Sequence, residues 1–213
     1  MPIAIIDYGS GNLKSAAKAL ETAASNINAS SKIVVTSDPK TIQQSDKIVL
    51  PGQGSFRDCY LGIKKIPGLD ETLNEFVLVK KKPIFGICVG MQLFAKIGYE
   101  SQETKGFGWI DGEVRKINNM NKKLKLPHMG WNEIELKKDF TLFSNLQNKS
   151  HMYFVHSYEL ITKQKDCIAA TINYGNFITA AVIKENIFGT QFHPEKSQRN
   201  GLIILENFLK WKF

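Results

Sequence analysis

The stretch Pro83–Phe94, PIFGICVGMQLF, sets a cysteine between two glycines where an apolar run ends. Gly86-Ile87-Cys88-Val89-Gly90 fits the Gly-x-nucleophile-x-Gly turn at which a strand runs directly into a helix. Both flanking positions must be small there, because the turn is sharp. A helix beginning near Val89 aims its N-terminal amides at the sulfur, which favours the reactive thiolate. A small buried hydrophobe fits the same five residues, so the pentapeptide alone leaves both readings open.

Working outward, strands and helices alternate through the first half. Ile3–Ile6 reads as a buried strand, Gly9 and Gly11 as a turn, and Leu13, Ala16, Ala17 and Leu20 recur at helical spacing. Ile33–Thr36 and Ile48–Leu50 are further apolar runs bounded by turn residues, and Leu73, Phe76 and Val77 suit a helix before Pro83 opens the next strand. This alternation predicts an α/β fold, a mostly parallel open sheet flanked by helices on both faces. The second half is rich in β-branched and aromatic residues. There NEIEL, YFVHSYEL, CIAATINYG and FITAAVIKENIFGTQF predict antiparallel strands that extend the sheet, with a hairpin turn at Lys184-Glu185-Asn186. Leu202, Leu205, Phe208 and Leu209 give a closing helix. With no repeat and no composition break, residues 1–213 read as a single domain.

A cysteine nucleophile needs a base, and the base needs an acceptor that fixes its tautomer. GTQFHPEKS supplies His193 and, two residues on, Glu195. At a strand end the two project to the same side, and Pro194 stiffens the link. His193 alone would pass for a surface histidine; with Glu195 beside it and Cys88 upstream, a triad is the better reading. Acyl transfer also needs an oxyanion hole. Pro51-Gly52-Gln53-Gly54 ends an apolar strand, where glycines let backbone N–H groups turn toward a developing alkoxide beside the N–H of Val89.

The composition excludes other classes. The chain is 43% hydrophobic, no apolar run approaches the length of a membrane span, and the N-terminus carries no basic leader or cleavage site. Cys59, Cys88 and Cys167 are odd in number and widely spaced, against a disulfide framework or a zinc site, so a cytoplasmic protein is expected. The net charge of +8 comes mostly from scattered lysines such as Lys80–Lys82 and Lys122–Lys123. With three arginines and no continuous stripe, this is solvated surface and not a nucleic-acid face. His128 and His156 have no spaced carboxylate beside them and read as structural, His151 as surface; no cluster has metal-ligand spacing. The Gly9-Ser10-Gly11-Asn12 turn lacks the third glycine of a nucleotide site and is read as support for an interface. No cofactor is expected.

These residues resemble the class I (triad-type) glutamine amidotransferases, and the resemblance covers most of the chain. IDYGSGNLKS, LPGQGSF, GICVGMQLF, GFGWIDGEV, PHMGWNEIE, YFVHSYE and FHPEKSQ stand in the order found in one subfamily, the glutaminase subunits of imidazole glycerol phosphate synthases. The triad pattern is shared widely; PHMGWN and YFVHSY are the specific segments.

The resemblance implies that Cys88 attacks the side-chain amide of glutamine, that His193 protonates the leaving ammonia and then activates water, and that Glu195 orients His193. It implies substrate contacts at Gln92 and Glu100, the latter toward the α-ammonium, and along the backbone at Ser157 and Tyr158. Gly52, or the Gln53 amide, would complete the oxyanion hole with Val89, although the family often has a small aliphatic residue where Gln53 stands. A (β/α)₈-barrel cyclase subunit is the implied partner, taking ammonia into a phosphorylated ribulosyl formimino intermediate to give imidazole glycerol phosphate and AICAR. Asn12, Trp131, Tyr153 and Lys196 match positions facing it. Aromatic core filling remains the competing reading for Trp131 and Tyr153, and a solvated lysine for Lys196. Two other functions stay open: a subunit feeding ammonia to another synthase, and a binding protein that keeps the cysteine turn without catalysis. The isolated chain is expected to be a poor glutaminase, because the Gly52–Gly54 loop does not hold its amide toward the oxyanion until the partner is bound.

Overall fold

A computed structural model describes residues 2–118 and 124–213. Met1 and the Lys122-Lys123 pair lie outside the described residues. The first half runs β1 (Pro2–Ile6), α1 (Leu13–Asn26), β2 (Lys32–Thr36), α2 (Pro39–Gln44), β3 (Lys47–Gly52), α3 (Phe56–Lys64), α4 (Leu69–Asn74), β4 (Ile84–Cys88) and α5 (Val89–Gln92). A π-helical stretch, Glu75–Val79, continues α4. Then follow β5 (Ile97–Glu100), β6 (Gln102–Lys105), β7 (Gly112–Lys116), β8 (His128–Glu133), β9 (Glu135–Leu136), β10 (His151–His156), β11 (Tyr158–Thr162), β12 (Ile168–Tyr174), β13 (Asn176–Lys184), β14 (Ile187–Thr190) and α6 (Gln198–Lys210).

The main sheet has eight strands in the order β2-β1-β3-β4-β14-β13-β12-β9. Its first five run parallel and the last three join antiparallel. Central strands buried on both faces carry continuous apolar residues, as Ile3–Ile6 and Ile84–Ile87 do. Successive side chains on β4 locate the two helical layers, since they point to opposite faces. Phe85 packs on Phe208 of α6, at 5.2 Å between ring centroids. A Cβ at Gly86 would press on Phe94, just beyond α5. α6 also packs on α1, while α3 packs on α4 and α5.

Two expectations are refined. YFVHSYEL is not one strand of the main sheet: it breaks at Ser157, β10 pairing with β8 in a two-stranded ribbon and β11 with β7 in a four-stranded sheet. The helix after Cys88 is a single turn, because the chain must turn again to start β5. The hairpin at Lys184-Glu185-Asn186 forms as read, with Glu185 at φ 51°. The Lys80–Lys82 run is engaged locally: Lys80 pairs with Glu75, Lys81 with Glu185, and Lys82 donates to the carbonyls of Gln43 and Ser45.

Candidate active site

Strand order explains why residues so far apart in sequence meet. β4 lies between β3 and β14, all three parallel, so their C-terminal ends open at one edge. In open α/β sheets that edge is where ligands bind. Gly52 is in register with Cys88, and Thr190 with Ile87, which carries the chain through Gln191 and Phe192 to His193 beside the sulfur.

Cys88 occupies φ 56°, ψ −115°, a strained conformation for a non-glycine residue. Its neighbours show what holds it there. A Cβ at Gly90 would collide with the carbonyl of Leu50, and one at Gly86 would sit 2.5 Å from the Phe94 ring. A Cβ at Gly52 would strike the backbone nitrogen of Gly90. The strand ends are packed backbone against backbone, and only glycine fits.

His193 Nδ1 donates to Glu195 Oε1 at 2.8 Å, both side chains nearly buried. Pro194 starts a short 3₁₀ turn, Pro194–Lys196, that folds Glu195 back under the imidazole. His193 Nε2 is buried with no hydrogen-bond partner in place, free to take or give a proton in the pocket. Burial by itself would push the His193 pKa down; interaction with Cys88 and Glu195 outweighs it and pushes the pKa up to about 10. Both partners favour the imidazolium over the neutral ring.

A cavity of about 270 Å³ opens over these groups. Its lining includes Gly52, Gln53, Val89, Gln92, Glu100, Ser157, Tyr158 and Lys196, along with Cys88 and His193. Glu100 accepts a hydrogen bond from the Phe56 N–H at the start of α3, at 2.7 Å. Gln92 is buried; its amide donates to the Tyr158 carbonyl (3.0 Å) and to Gln191 Oε1 (2.9 Å).

The oxyanion loop is built differently from the elbow. Gln53 and Gly54 are exposed. The Ser10 hydroxyl accepts from the Gln53 N–H at 3.3 Å and donates to the Gln53 carbonyl. The Cys59 thiol also donates to that carbonyl, and Tyr8 Oη donates to the Pro51 carbonyl at 2.5 Å. The Gln53 amide is thus occupied by Ser10.

Trp131 and Tyr153 face each other across the β8–β10 ribbon, edge to face at 5.9 Å, and Lys196 Nζ lies 5.8 Å from the Tyr153 ring. Trp131 is half exposed, which removes the core-filling reading. Asn12 caps α1, accepting from the Ser15 N–H. The Tyr153 carbonyl accepts from the His193 N–H at 2.9 Å, so the aromatic ribbon is bonded directly to the triad segment.

Sequence reasoning missed Gln191, Ser10 and Tyr8. Gln191 sits two residues before His193, and only the order of strands brings it to the sulfur. His128 and His156 prove to be a buried pair, Nδ1 to Nε2 at 3.0 Å, with both pKa values pushed down to about 4, chiefly by burial. His151 is on the surface, 3.7 Å from Glu133. Among the described residues, no group of three or more His, Cys, Asp or Glu is placed to hold a metal ion. Nor is any helix there long and apolar enough to cross a membrane.

The fold and its cysteine elbow are those of an amidotransferase, and the chain matches glutamine amidotransferase class-I over residues 4–211: it belongs to that family. It is 56% identical over 210 residues to the imidazole glycerol phosphate synthase subunit HisH of Pelagibacter ubique, covering 98% of this chain and 99% of that one. The subunit of the same name from Bradyrhizobium diazoefficiens is 49% identical over 215 residues, with both chains covered in full. In fold the chain resembles a glutamine amidotransferase from Thermotoga maritima, TM-score 0.63 at 16% identity, over 99% of this chain and 83% of that one.

Proposed function

We propose that this chain is the glutaminase subunit of an imidazole glycerol phosphate synthase, acting in histidine biosynthesis, with residues 1–213 working as one domain. The observation that carries the chemistry is the convergence of Cys88 and His193 on one cavity beside a glycine-lined loop, with Glu195 hydrogen-bonded to the far side of the imidazole. Identity near half over the full chain to subunits of that name supports the acceptor pathway.

Glutamine enters with its α-ammonium toward Glu100 and its side-chain amide over Cys88. The thiolate attacks the amide carbon, and the C=O electron pair moves onto oxygen. The oxyanion is met by the Val89 N–H and, after reorientation of the loop, by the backbone of Gly52–Gln53. As the tetrahedral intermediate collapses, the C–N bond breaks and His193 Nε2–H protonates the leaving nitrogen, releasing ammonia and a γ-glutamyl thioester. Neutral His193 then takes a proton from water. The hydroxide adds to the thioester, and expulsion of the thiolate leaves glutamate with the imidazolium restored. Glu195 holds Nδ1–H throughout.

Ammonia passes to a (β/α)₈-barrel cyclase subunit docked over Trp131, Tyr153 and Lys196 in the cytoplasm. The free subunit is a weak glutaminase because Ser10 holds the Gln53 amide, and partner binding shifts the loop population toward the competent state. Glutamate release by the chain alone, with a cyclase subunit, and with cyclase plus its ribulosyl substrate is the test. Turnover that rises steeply only in the last mixture, and vanishes in Cys88→Ala, is the expected result. Cys88-dependent turnover indifferent to the cyclase would assign the chain to another synthase, and silence in every mixture would remove the enzymatic reading.

A further inference from the structure

We propose that Gln191 is a further catalytic residue, whose side-chain N–H stabilises the Cys88 thiolate directly; the proposal rests on the reading of Cys88 as nucleophile. Gln191 is wholly buried, and its Nε2 donates to Cys88 Sγ at 3.6 Å. A buried amide is costly unless bonded, so its partners decide which end faces the sulfur. Here they leave no choice. The Tyr158 carbonyl can only accept, so Gln92 must turn its Nε2 toward it. The second hydrogen of that Nε2 then meets Gln191 Oε1, which leaves Gln191 Nε2 for the sulfur. One backbone carbonyl thereby fixes the polarity of every link up to Sγ.

The same carbonyl is held from behind. His156 Nδ1–H donates to it at 2.9 Å, so neutral His156 accepts at Nε2 from His128 Nδ1–H, and His128 Nε2 accepts from Asn132 at 3.3 Å. Gln92, His156 and His128 are positioning residues in this scheme, and Gln191 touches the reacting atom. The titratable groups whose charges act on Cys88 are His193, Tyr8 and Cys59, and His156, Glu100 and Lys196 line the same cavity. Against that background a neutral N–H donor serves the thiolate without adding a proton to manage. It also faces the sulfur when the thiolate is expelled from the thioester.

Alkylation of Cys88 by iodoacetamide, read by peptide mass spectrometry over the neutral and alkaline range, tests this in the wild-type chain, Gln191→Met and Gln191→Glu. Loss of a hydrogen bond to a charged group predicts alkylation about tenfold slower at neutral pH in Gln191→Met, and slower still in Gln191→Glu, with the rate–pH profile moved to higher pH. A purely structural role would lower the melting temperature and leave that profile where it was. Folded variants with the wild-type profile overturn the proposal. Should both variants fail to fold, the wild-type chain still decides: the Gln191 side-chain amide resonance should follow the pH profile of alkylation and cease to do so in Cys88→Ala. A pH-invariant Gln191 amide overturns the proposal. Wild-type Cys88 that alkylates no faster than buried Cys59 and Cys167 would instead sink the nucleophile reading itself.

Discussion

The nucleophile elbow and the oxyanion loop meet at Gly52 and Cys88, yet they are held by opposite means. The elbow is locked by packing. Gly86, Gly90 and Gly52 bring backbones so close that no Cβ fits, and Cys88 keeps its positive φ because its surroundings allow nothing else. The loop is held by hydrogen bonds to side chains of the turn that follows β1, and Gly54 has open space around its Cβ position. Packing fixes one geometry; a few polar contacts worth about 1 kcal/mol each leave a second within reach. A site that must keep its nucleophile ready and its oxyanion hole conditional is served by that division.

The hardest way to break the comparison is to place the same methyl on each side. Gly90→Ala should abolish glutaminase turnover and cost about 3 kcal/mol or more of stability, because the new Cβ meets the Leu50 carbonyl inside the sheet. Gly54→Ala, at φ +100°, adds strain of about 1–2 kcal/mol but no collision, and should leave the fold intact. Denaturant unfolding of both variants checks this, and equal losses would mean the loop is packed like the elbow.

Next in size is Glu195→Gln, which keeps the shape of the triad while removing its charge. Turnover should fall about 10²- to 10⁴-fold. The pH dependence supplies a second reading. The His193 pKa is raised from 6.5 to about 10, so the stability it contributes is complete below pH 6.5 and is lost as pH rises through about 10. Melting temperatures taken across that alkaline range should therefore decline in the wild-type chain, and this component should be smaller in Glu195→Gln. An unchanged decline would show that the charge of Glu195 does not hold the imidazolium.

The elbow and triad were legible in the sequence because they obey local rules. Glycines at fixed offsets from Cys88 announce a tight turn, and His193-Pro194-Glu195 places base and acceptor two residues apart. The alternation before Pro83 likewise gave the parallel half of the sheet. What the sequence hid is set by strand order. β14 enters between β4 and β13 and so delivers Gln191 to a sulfur 103 residues away, while Ser10 reaches Gln53 across 43. No periodicity encodes such contacts. The break of YFVHSYEL at Ser157 was hidden for a related reason: its aromatic and β-branched residues lie on both sides of the break, and only the separate partners of β10 and β11 divide it.

Ser10→Ala sharpens the contrast at the loop. Removing the hydroxyl frees the N–H of Gln53 and leaves its C=O to the Cys59 thiol alone, a loss of contacts worth up to about 1.5 kcal/mol. Partner-free glutaminase turnover should rise by up to about tenfold, with the fully activated rate unchanged. A fall in partner-free turnover would show that Ser10 builds the competent loop instead of restraining it.

The smallest effect is expected from Tyr8→Phe, and it separates the base of the loop from its tip. Tyr8 is buried, and burial, followed by its interaction with Cys59, raises its pKa well above 10, so it remains a donor to the Pro51 carbonyl at any ordinary pH. Pro51 belongs to β3, in register with Ile87, and lies on the packed side of the boundary. Losing this bond should cost about 1 kcal/mol of stability and change partner-free turnover less than Ser10→Ala does. If Tyr8→Phe raises turnover as much as Ser10→Ala, the loop moves as one body from Pro51 onward. If it lowers stability alone, the hinge lies between Pro51 and Gln53, at the glycine whose missing Cβ lets Gly90 approach.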